Sequence, residues 1–116
     1  MFEYYYSHQS EQFTFYRIPK SLFIDERFSA LSSDSRVLYG LMLDCMGLSR
    51  KNGWVDKLSR VYIFFTLDEV MSSLGCAREK ANRLMAELDA RGIGLIETRR
   101  QGLGKANIIY VKDFAS

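Results

Sequence analysis

Two helices separated by one glycine constrain the fold of this chain more than any other feature of its sequence. Thr66 and Glu69 have the spacing of a capping box, in which the threonine hydroxyl accepts from the Glu69 N–H and the Glu69 carboxylate accepts from the Thr66 N–H. The helix that begins there is expected to end near Leu74, because Gly75 readily adopts the left-handed conformation that terminates helices. The chain is therefore expected to turn sharply at Gly75.

A second helix is predicted directly after this turn, from Cys76 or Ala77 to about Ala90. Its apolar residues recur at three- and four-residue spacing, which places them on one face of a helix. The apolar residues of this face are Ala77, Ala81, Leu84, Met85 and Leu88. The polar residues that point away from it are Arg78, Glu79, Lys80, Asn82 and Arg83. The segment thus predicts a helix-turn-helix.

A glycine-bearing hairpin follows the second helix. Residues 95–100 and 108–111 predict two strands, and residues 101–107 predict the turn between them. The basic and polar residues of this hairpin are Arg99, Arg100, Gln101, Lys105 and Asn107. A helix-turn-helix followed by a two-stranded ribbon is a winged helix, so the predicted fold class is α+β, a winged helix-turn-helix.

The segment before Thr66 completes the predicted core. A short helix is expected over residues 20–23, and a long helix is expected from Ser32 or Ser33, either of which could be its N-cap, to about Leu48. Residues 54–56 are expected to be extended and residues 61–65 to form a buried strand. A chain of 116 residues has room for one core. We therefore predict a single domain over residues 1–116, with the winged-helix core at 19–116.

The first 18 residues alternate aromatic and polar blocks. Residues 2–6 and 13–18 predict two strands joined by the loop 7–12, so a β-hairpin is expected as an N-terminal extension of the winged helix. Bulky side chains on both faces of this hairpin need cover. Either the hairpin covers the domain's own core, or one face contacts a second copy of the chain. In the second case the dimerisation residues would be Tyr4, Tyr6, Phe13 and Phe15.

Positive charge is concentrated in the last third of the sequence. Residues 78–112 hold eight basic and four acidic side chains, whereas residues 1–77 hold eight basic and nine acidic ones. Clustered positive charge indicates an anionic partner such as nucleic acid. Because the cluster coincides with the second helix and the hairpin, we expect double-stranded DNA to be that partner. A winged helix used for protein-protein contacts or as a transcription regulator is the alternative.

The winged-helix hypothesis assigns a role to each polar surface. The outward residues of the second helix are expected to face base edges or phosphates in the major groove, with arginine toward guanine and asparagine toward adenine. Glu79 is expected to orient Arg83, four residues on, rather than to contact a base. The basic wing residues are expected to neutralise phosphates or to enter the minor groove, and Gln101 and Asn107 to donate hydrogen bonds at the tip.

The sequence offers little for catalysis or metal binding. It has no nucleophile-elbow, P-loop, dinucleotide or zinc-protease motif, and its single histidine, His8, lies in a polar run typical of a loop. One histidine and two cysteines, Cys45 and Cys76, do not suffice for a zinc site, and Cys76 is interpreted as structural. No stretch of eighteen apolar residues and no signal peptide are present. We expect a cytoplasmic protein that is not an enzyme and that has no cofactor, metal or membrane partner.

Short motifs in a fixed order span the chain from residue 18 to residue 111. They are Ile18-Pro19-Lys20 with Leu22-Phe23, Leu31-Ser32 with Asp34, Leu38-Tyr39-Gly40-Leu41, Asn52-Gly53-Trp54 with Asp56, Arg60-Val61-Tyr62-Ile63, and Gln101-Gly102-Leu103-Gly104-Lys105 with Asn107 and Ile109-Tyr110-Val111. Together these motifs resemble the N-terminal domain of RepA-type plasmid replication initiators of Gram-positive bacteria.

The resemblance implies a winged-helix domain that binds repeated sites in a plasmid origin as a homodimer and so initiates plasmid replication. It also implies that the chain is the N-terminal part of a longer protein, whose C-terminal region engages host replication proteins. Two positions depart from the family pattern: Ala106 stands where a proline is expected, and Leu58-Ser59 replaces a more turn-like pair. Alanine leaves φ freer than proline does, so a less rigid wing is expected.

Overall fold

In the computed structural model, which describes residues 1–10 and 13–116, helices and short strands form an α+β domain. The helices are α1 (Ser21–Ile24), α2 (Ser33–Lys51), α3 (Leu67–Leu74) and α4 (Arg78–Leu88), with a 3-10 turn at Glu26–Phe28. The strands are β1 (Tyr62–Ile63), β2 (Ile96–Arg99) and β3 (Ile108–Val111). The predicted winged helix is confirmed: α3 and α4 form the helix-turn-helix, and β2 and β3 form the wing.

The three strands form one antiparallel sheet in the order β1-β3-β2. Ile63 pairs with Ile109, and Thr98 pairs with Ile109 on the other side. Strand β1 is shorter than the predicted strand over residues 61–65, because the chain leaves the sheet after Ile63 and reaches Thr66, the N-cap of α3. A single bridge between Val55 and Val61 extends the pairing next to β1.

The core lies between α2, α4 and one face of the sheet. Its fully buried large side chains are Leu22, Leu38, Tyr39, Met42, Ile63, Val70, Leu84, Leu88, Ile96 and Ile109. Helix α2 is the longest element, with 19 residues, and Ser32 caps it by accepting from the Ser35 N–H at 3.2 Å. It ends three residues beyond the predicted Leu48. Arg50 and Lys51 lie in its last turn, where their positive charges interact favourably with the negative end of the helix dipole.

The predicted N-terminal β-hairpin is wrong. Residues 1–10 and 13–18 carry no strand, and residues 11–12 of the predicted loop lie outside the described residues. The aromatic side chains remain exposed, at 82% for Tyr4 and 66% for Phe15. A two-stranded ribbon is marginal unless it buries its apolar side chains, and those of this segment stay mostly exposed. We refer to residues 1–18 as the arm.

The arm meets the core at one glycine. A Cβ added to Gly40 of α2 would lie 2.8 Å from Ile18 Cγ1 and 3.2 Å from the Arg17 carbonyl oxygen. The absence of a side chain at Gly40 therefore lets the arm cross α2 at close range. Beyond that crossing, Phe13 and Phe15 line an open cleft of about 630 Å³ against α2.

Candidate nucleic-acid interface

The turn between α3 and α4 forms as predicted. The Glu69 N–H donates to Thr66 Oγ1 at 3.1 Å, and the Thr66 N–H donates to Glu69 Oε1 at 3.3 Å. Gly75 adopts φ 62° and ψ 42°, the left-handed conformation. Helix α4 then begins at Arg78, directly after the extended Ala77, whose methyl side chain cannot accept a capping hydrogen bond. The local signals thus predict the helix-turn-helix to within two residues at either end of α4.

Helix α4 is anchored to the start of α2 by one carboxylate. Glu87 accepts from the Ser32 N–H at 2.7 Å and from the Ser32 hydroxyl at 2.9 Å, and the Ser35 hydroxyl lies 3.1 Å from the same carboxylate. A negative group at a helix N-terminus also interacts favourably with the helix dipole. Together with the buried Leu84 and Leu88, Glu87 fixes the rotation of α4 about its own axis.

Two exposed ion pairs link the first turn of α4 to α3 and α2. Arg78 pairs with Asp68 of α3 at 3.0 Å, and Lys80 pairs with Asp34 in the first turn of α2 at 2.5 Å. All four side chains keep 42–80% of their surface exposed. Pairs this exposed are worth about 0–1 kcal/mol. Their cations can therefore exchange a carboxylate partner for another anion at little cost.

The outward face of α4 carries Glu79, Asn82 and Arg83, all exposed. The expected pairing of Glu79 with Arg83 is wrong: across residues 1–10 and 13–116 no ion pair joins them. An i,i+4 pair on a solvated helix face gains only a few tenths of a kcal/mol, which does not fix two long side chains. The amide of Asn82 and the guanidinium of Arg83 are therefore free to meet a ligand.

The base of the wing is held by an aromatic ring between two arginines. The Tyr110 ring of β3 lies 4.8 Å from the Arg60 guanidinium and 5.3 Å from that of Arg99. Arg99 also pairs with Glu97 at 2.6 Å. The Tyr110 hydroxyl donates to Asp56 at 2.9 Å. Arg99, expected at the DNA, thus already has partners within the domain.

Asp56 joins the loop after α2 to this wing base. Burial alone raises the pKa of the Asp56 carboxyl, but hydrogen bonds from the Arg60 backbone and guanidinium, from Tyr110 and from the Leu58 N–H outweigh it and hold the pKa well below its ordinary value. The carboxylate is 18% exposed. Three residues after Asp56, Ser59 adopts φ 63°, a left-handed conformation that is unusual for a residue other than glycine.

The tip of the wing spans residues 100–107, all exposed. The Gln101 side-chain amide donates to the Ala106 carbonyl at 2.8 Å and so closes the tip instead of extending from it. In the part of the chain that the structure describes, the side chains of Arg100, Lys105 and Asn107 have no ion-pair or hydrogen-bond partner. These three are therefore the polar side chains of the wing tip that are available to a ligand.

Several contacts in this region have no signal in the sequence. Glu87 meets Ser32 across 55 positions, and Tyr110 meets Asp56 across 54. No local pattern signals contacts at such separation. Leu103, an exposed leucine between two glycines, is different, since an apolar residue in a basic, glycine-bearing tip is visible in the sequence alone.

Residues 1–10 and 13–116 carry no sign of a membrane span or of a metal site. No helix there is long and apolar enough to cross a membrane. No group of three or more His, Cys, Asp or Glu side chains there could hold a metal ion. Cys76 is half-buried and packs against the core, as a structural cysteine does.

The fold and its exposed basic surfaces define a winged-helix domain. Over residues 14–116 the chain matches the family described as the N-terminus of replication initiator protein A (RepA), and it belongs to that family. A curated relative, a 41 kDa protein of Lactobacillus helveticus, is 33% identical over 93 residues, which cover 80% of this chain and 26% of the relative. The chain therefore spans about a quarter of the length of that relative.

Solved structures share the fold at recognisable sequence identity. A Rep-DNA complex is 32% identical with a TM-score of 0.76, covering 96% of this chain and 84% of that one. The N-terminal domain of a DNA-binding protein is 33% identical with a TM-score of 0.74, covering 90% and 85%. An MDR initiator is 27% identical with a TM-score of 0.71, covering 86% and 77%.

Proposed function

We propose that this domain binds repeated duplex sites in a plasmid replication origin, in a sequence-specific manner, and so directs the initiation of plasmid replication. The observation that carries the proposal is the outward face of α4. There Asn82 and Arg83 are exposed and have no side-chain partner among the described residues. The helix that presents them is anchored by Glu87. Membership of the replication initiator family and likeness to a Rep-DNA complex support it.

The second helix of a helix-turn-helix lies in the major groove, where donor and acceptor patterns distinguish all four base pairs. Arg83 suits the two acceptors of guanine, and Asn82 suits the donor and acceptor of adenine. Arg78 and Lys80 would exchange their exposed carboxylate partners for phosphates, releasing counterions from the duplex. Glu79 would accept from a cytosine amino group or stay in solvent.

The wing would position the domain on the duplex rather than read its sequence. Lys105 and Arg100 contact phosphates, and Asn107 donates to the sugar-phosphate backbone. Arg99 and Gln101 support these contacts from within the wing, since their side chains are held by Glu97 and by the Ala106 carbonyl.

The proposal is tested with a duplex selected from a randomised pool and a scrambled duplex of the same composition. Fluorescence anisotropy of each at two salt concentrations is expected to show binding to the selected duplex tighter by about 10³-fold or more. Equal, salt-sensitive binding to both would contradict sequence-specific binding. Binding to neither would favour a winged helix that contacts proteins.

We also propose that the domain acts as a homodimer through the arm. Its support is the exposed aromatic surface at Tyr4, Tyr6, Phe13 and Phe15, which a solvated monomer leaves uncovered. Paired half-sites are the general means by which such domains lengthen the sequence that they bind. Deleting residues 1–16 is expected to give a monomer in sedimentation equilibrium. A dimer that survives the deletion would move the interface to another surface.

We infer further that initiation needs a part of the full-length protein beyond the region matched here. The support is length, because the curated relative is about four times as long as the matched segment. That part would engage host replication proteins. Full-length protein is expected to support replication of an origin plasmid in cells, whereas this domain alone is expected to bind the origin without replicating it. Replication driven by the domain alone would contradict the inference.

A further inference from the structure

Leu103 is a fully exposed leucine at the wing tip, and the domain makes no use of it. Its neighbours on both sides are glycines, and the nearest charged side chains in sequence are those of Arg100 and Lys105. An exposed leucine alone on a surface is common. Leu103, however, lies between two glycines at the end of a basic ribbon. Any ligand that binds the tip of the wing would therefore contact it.

The backbone of the tip holds Leu103 outward. The Lys105 N–H donates to the Gly102 carbonyl at 3.2 Å, which makes residues 102–105 a β-turn with Leu103 at its second position. Gly104 follows with φ 76°, the positive value that a type II turn requires at its third position. The hydrogen bond from Gln101 to Ala106 closes the turn from below. The result is a narrow turn with an apolar side chain at its end.

Two occupants could cover this leucine, and the structure favours DNA over protein. A stable protein interface buries about 800 Å² on each partner, with charged residues depleted at its centre. In sequence, Leu103 is flanked by two glycines, by the polar Gln101 and by Arg100 and Lys105, two cations without a side-chain partner among the described residues. Cations on both sides of one apolar residue suit two phosphate backbones on both sides of a groove.

We propose that Leu103 is an apolar wedge that inserts from the minor groove between two base pairs and partly unstacks one step of the duplex. This inference rests on the proposed function, since it needs the wing to lie on DNA. Apolar wedges of this kind kink the duplex toward the major groove. Flexible pyrimidine–purine steps are the least costly to open, so the wedge adds a sequence preference at a position that no polar side chain contacts.

The test uses the selected duplex with 2-aminopurine, whose fluorescence rises on unstacking, placed at successive positions. The wild-type chain is expected to raise the fluorescence at one step, and Leu103→Ala is expected to abolish that rise. Leu103→Met, which keeps a long apolar side chain, is expected to retain it. The matched control is Leu58→Ala, which removes a leucine that is 73% exposed in the loop before β1.

The outcomes separate the wedge from the proposed function. Anisotropy that reports tight binding without a rise at any position overturns the wedge and leaves sequence-specific binding standing. A rise that Leu103→Ala leaves unchanged also overturns the wedge, because another group must then unstack the bases. Absence of binding to any duplex overturns both proposals.

Discussion

Helix α4 and the wing present their polar side chains in opposite ways. Helix α4 is fixed by its buried side chains Ala81, Leu84 and Leu88 and by the hydrogen bonds of Glu87 to Ser32. The wing is held at its base, around Tyr110, whereas the side chains of Arg100, Lys105 and Asn107 at its tip have no ion-pair or hydrogen-bond partner among residues 1–10 and 13–116. A rigid surface loses little entropy when it binds, whereas the long unpaired side chains of the wing tip lose rotamer freedom when they bind a ligand. We therefore propose that α4 reads the bases and that the wing adapts to the shape of the duplex.

The largest expected effect comes from releasing α4. Glu87→Ala leaves the Ser32 N–H and hydroxyl without their acceptor, so the free energy of unfolding is expected to fall by about 2 kcal/mol. Urea denaturation measures this. Glu79→Ala removes an exposed carboxylate from the same helix and is expected to change stability by less than about 0.5 kcal/mol. Equal effects of the two substitutions would mean that Glu87 does not anchor α4.

A smaller effect is expected from loosening the base of the wing, and it depends on pH. The pKa of Asp56 is held below its ordinary value, so its carboxylate stabilises the fold fully above about pH 4, and this contribution is lost as pH falls through the pKa of the folded state. Asp56→Asn is expected to lower the thermal midpoint at pH 7 and to differ less from wild type below pH 4. Tyr110→Phe, which removes one donor to Asp56, is expected to reproduce part of the loss. A difference between wild type and Asp56→Asn that does not change with pH would contradict this role.

The smallest effect is expected where the loop beside the wing base is strained. Ser59 adopts φ 63°, which costs an L-residue roughly 1–2 kcal/mol and glycine almost nothing. Ser59→Gly is expected to stabilise the domain by up to about 1 kcal/mol, because glycine also loses more entropy on folding. Leu58→Gly, at a neighbour without positive φ, is expected to destabilise it. Stabilisation by both or by neither, measured by urea denaturation, would show that the strain at Ser59 carries no free energy.

The difference between α4 and the arm explains how far the sequence predicts this molecule. The capping box at Thr66 and the turn at Gly75 are set by contacts within a few residues, so the helix-turn-helix and its outward face were predictable. The arm has an equally clear pattern of aromatic residues, yet it forms no strand over residues 1–10 and 13–18. Strand formation depends on a surface to pack against, and no local pattern supplies that information.

The sequence predicted which side chains of the candidate site point outward, but not the contacts that these and neighbouring side chains make within the domain. The outward position of Asn82 and Arg83 follows from helical spacing. The engagement of Arg99 with Glu97 and Tyr110, and of Glu87 with Ser32, depends on how distant elements meet. These contacts show which side chains stabilise the domain and which are free to bind a ligand. That distinction can be made only from the folded structure.

The division of labour between α4 and the wing is tested most directly by comparing Arg83→Ala with Lys105→Ala on the selected and scrambled duplexes across salt concentrations. Lys51→Ala, which removes a cation at the end of α2 roughly 27 Å from its start, serves as the control. Arg83→Ala is expected to cost about 1–3 kcal/mol on the selected duplex and little on the scrambled one, whereas Lys105→Ala is expected to weaken both alike and to reduce the salt slope by about one. Unchanged discrimination in Arg83→Ala, or lost discrimination in Lys105→Ala, would contradict the assignment of base readout to α4.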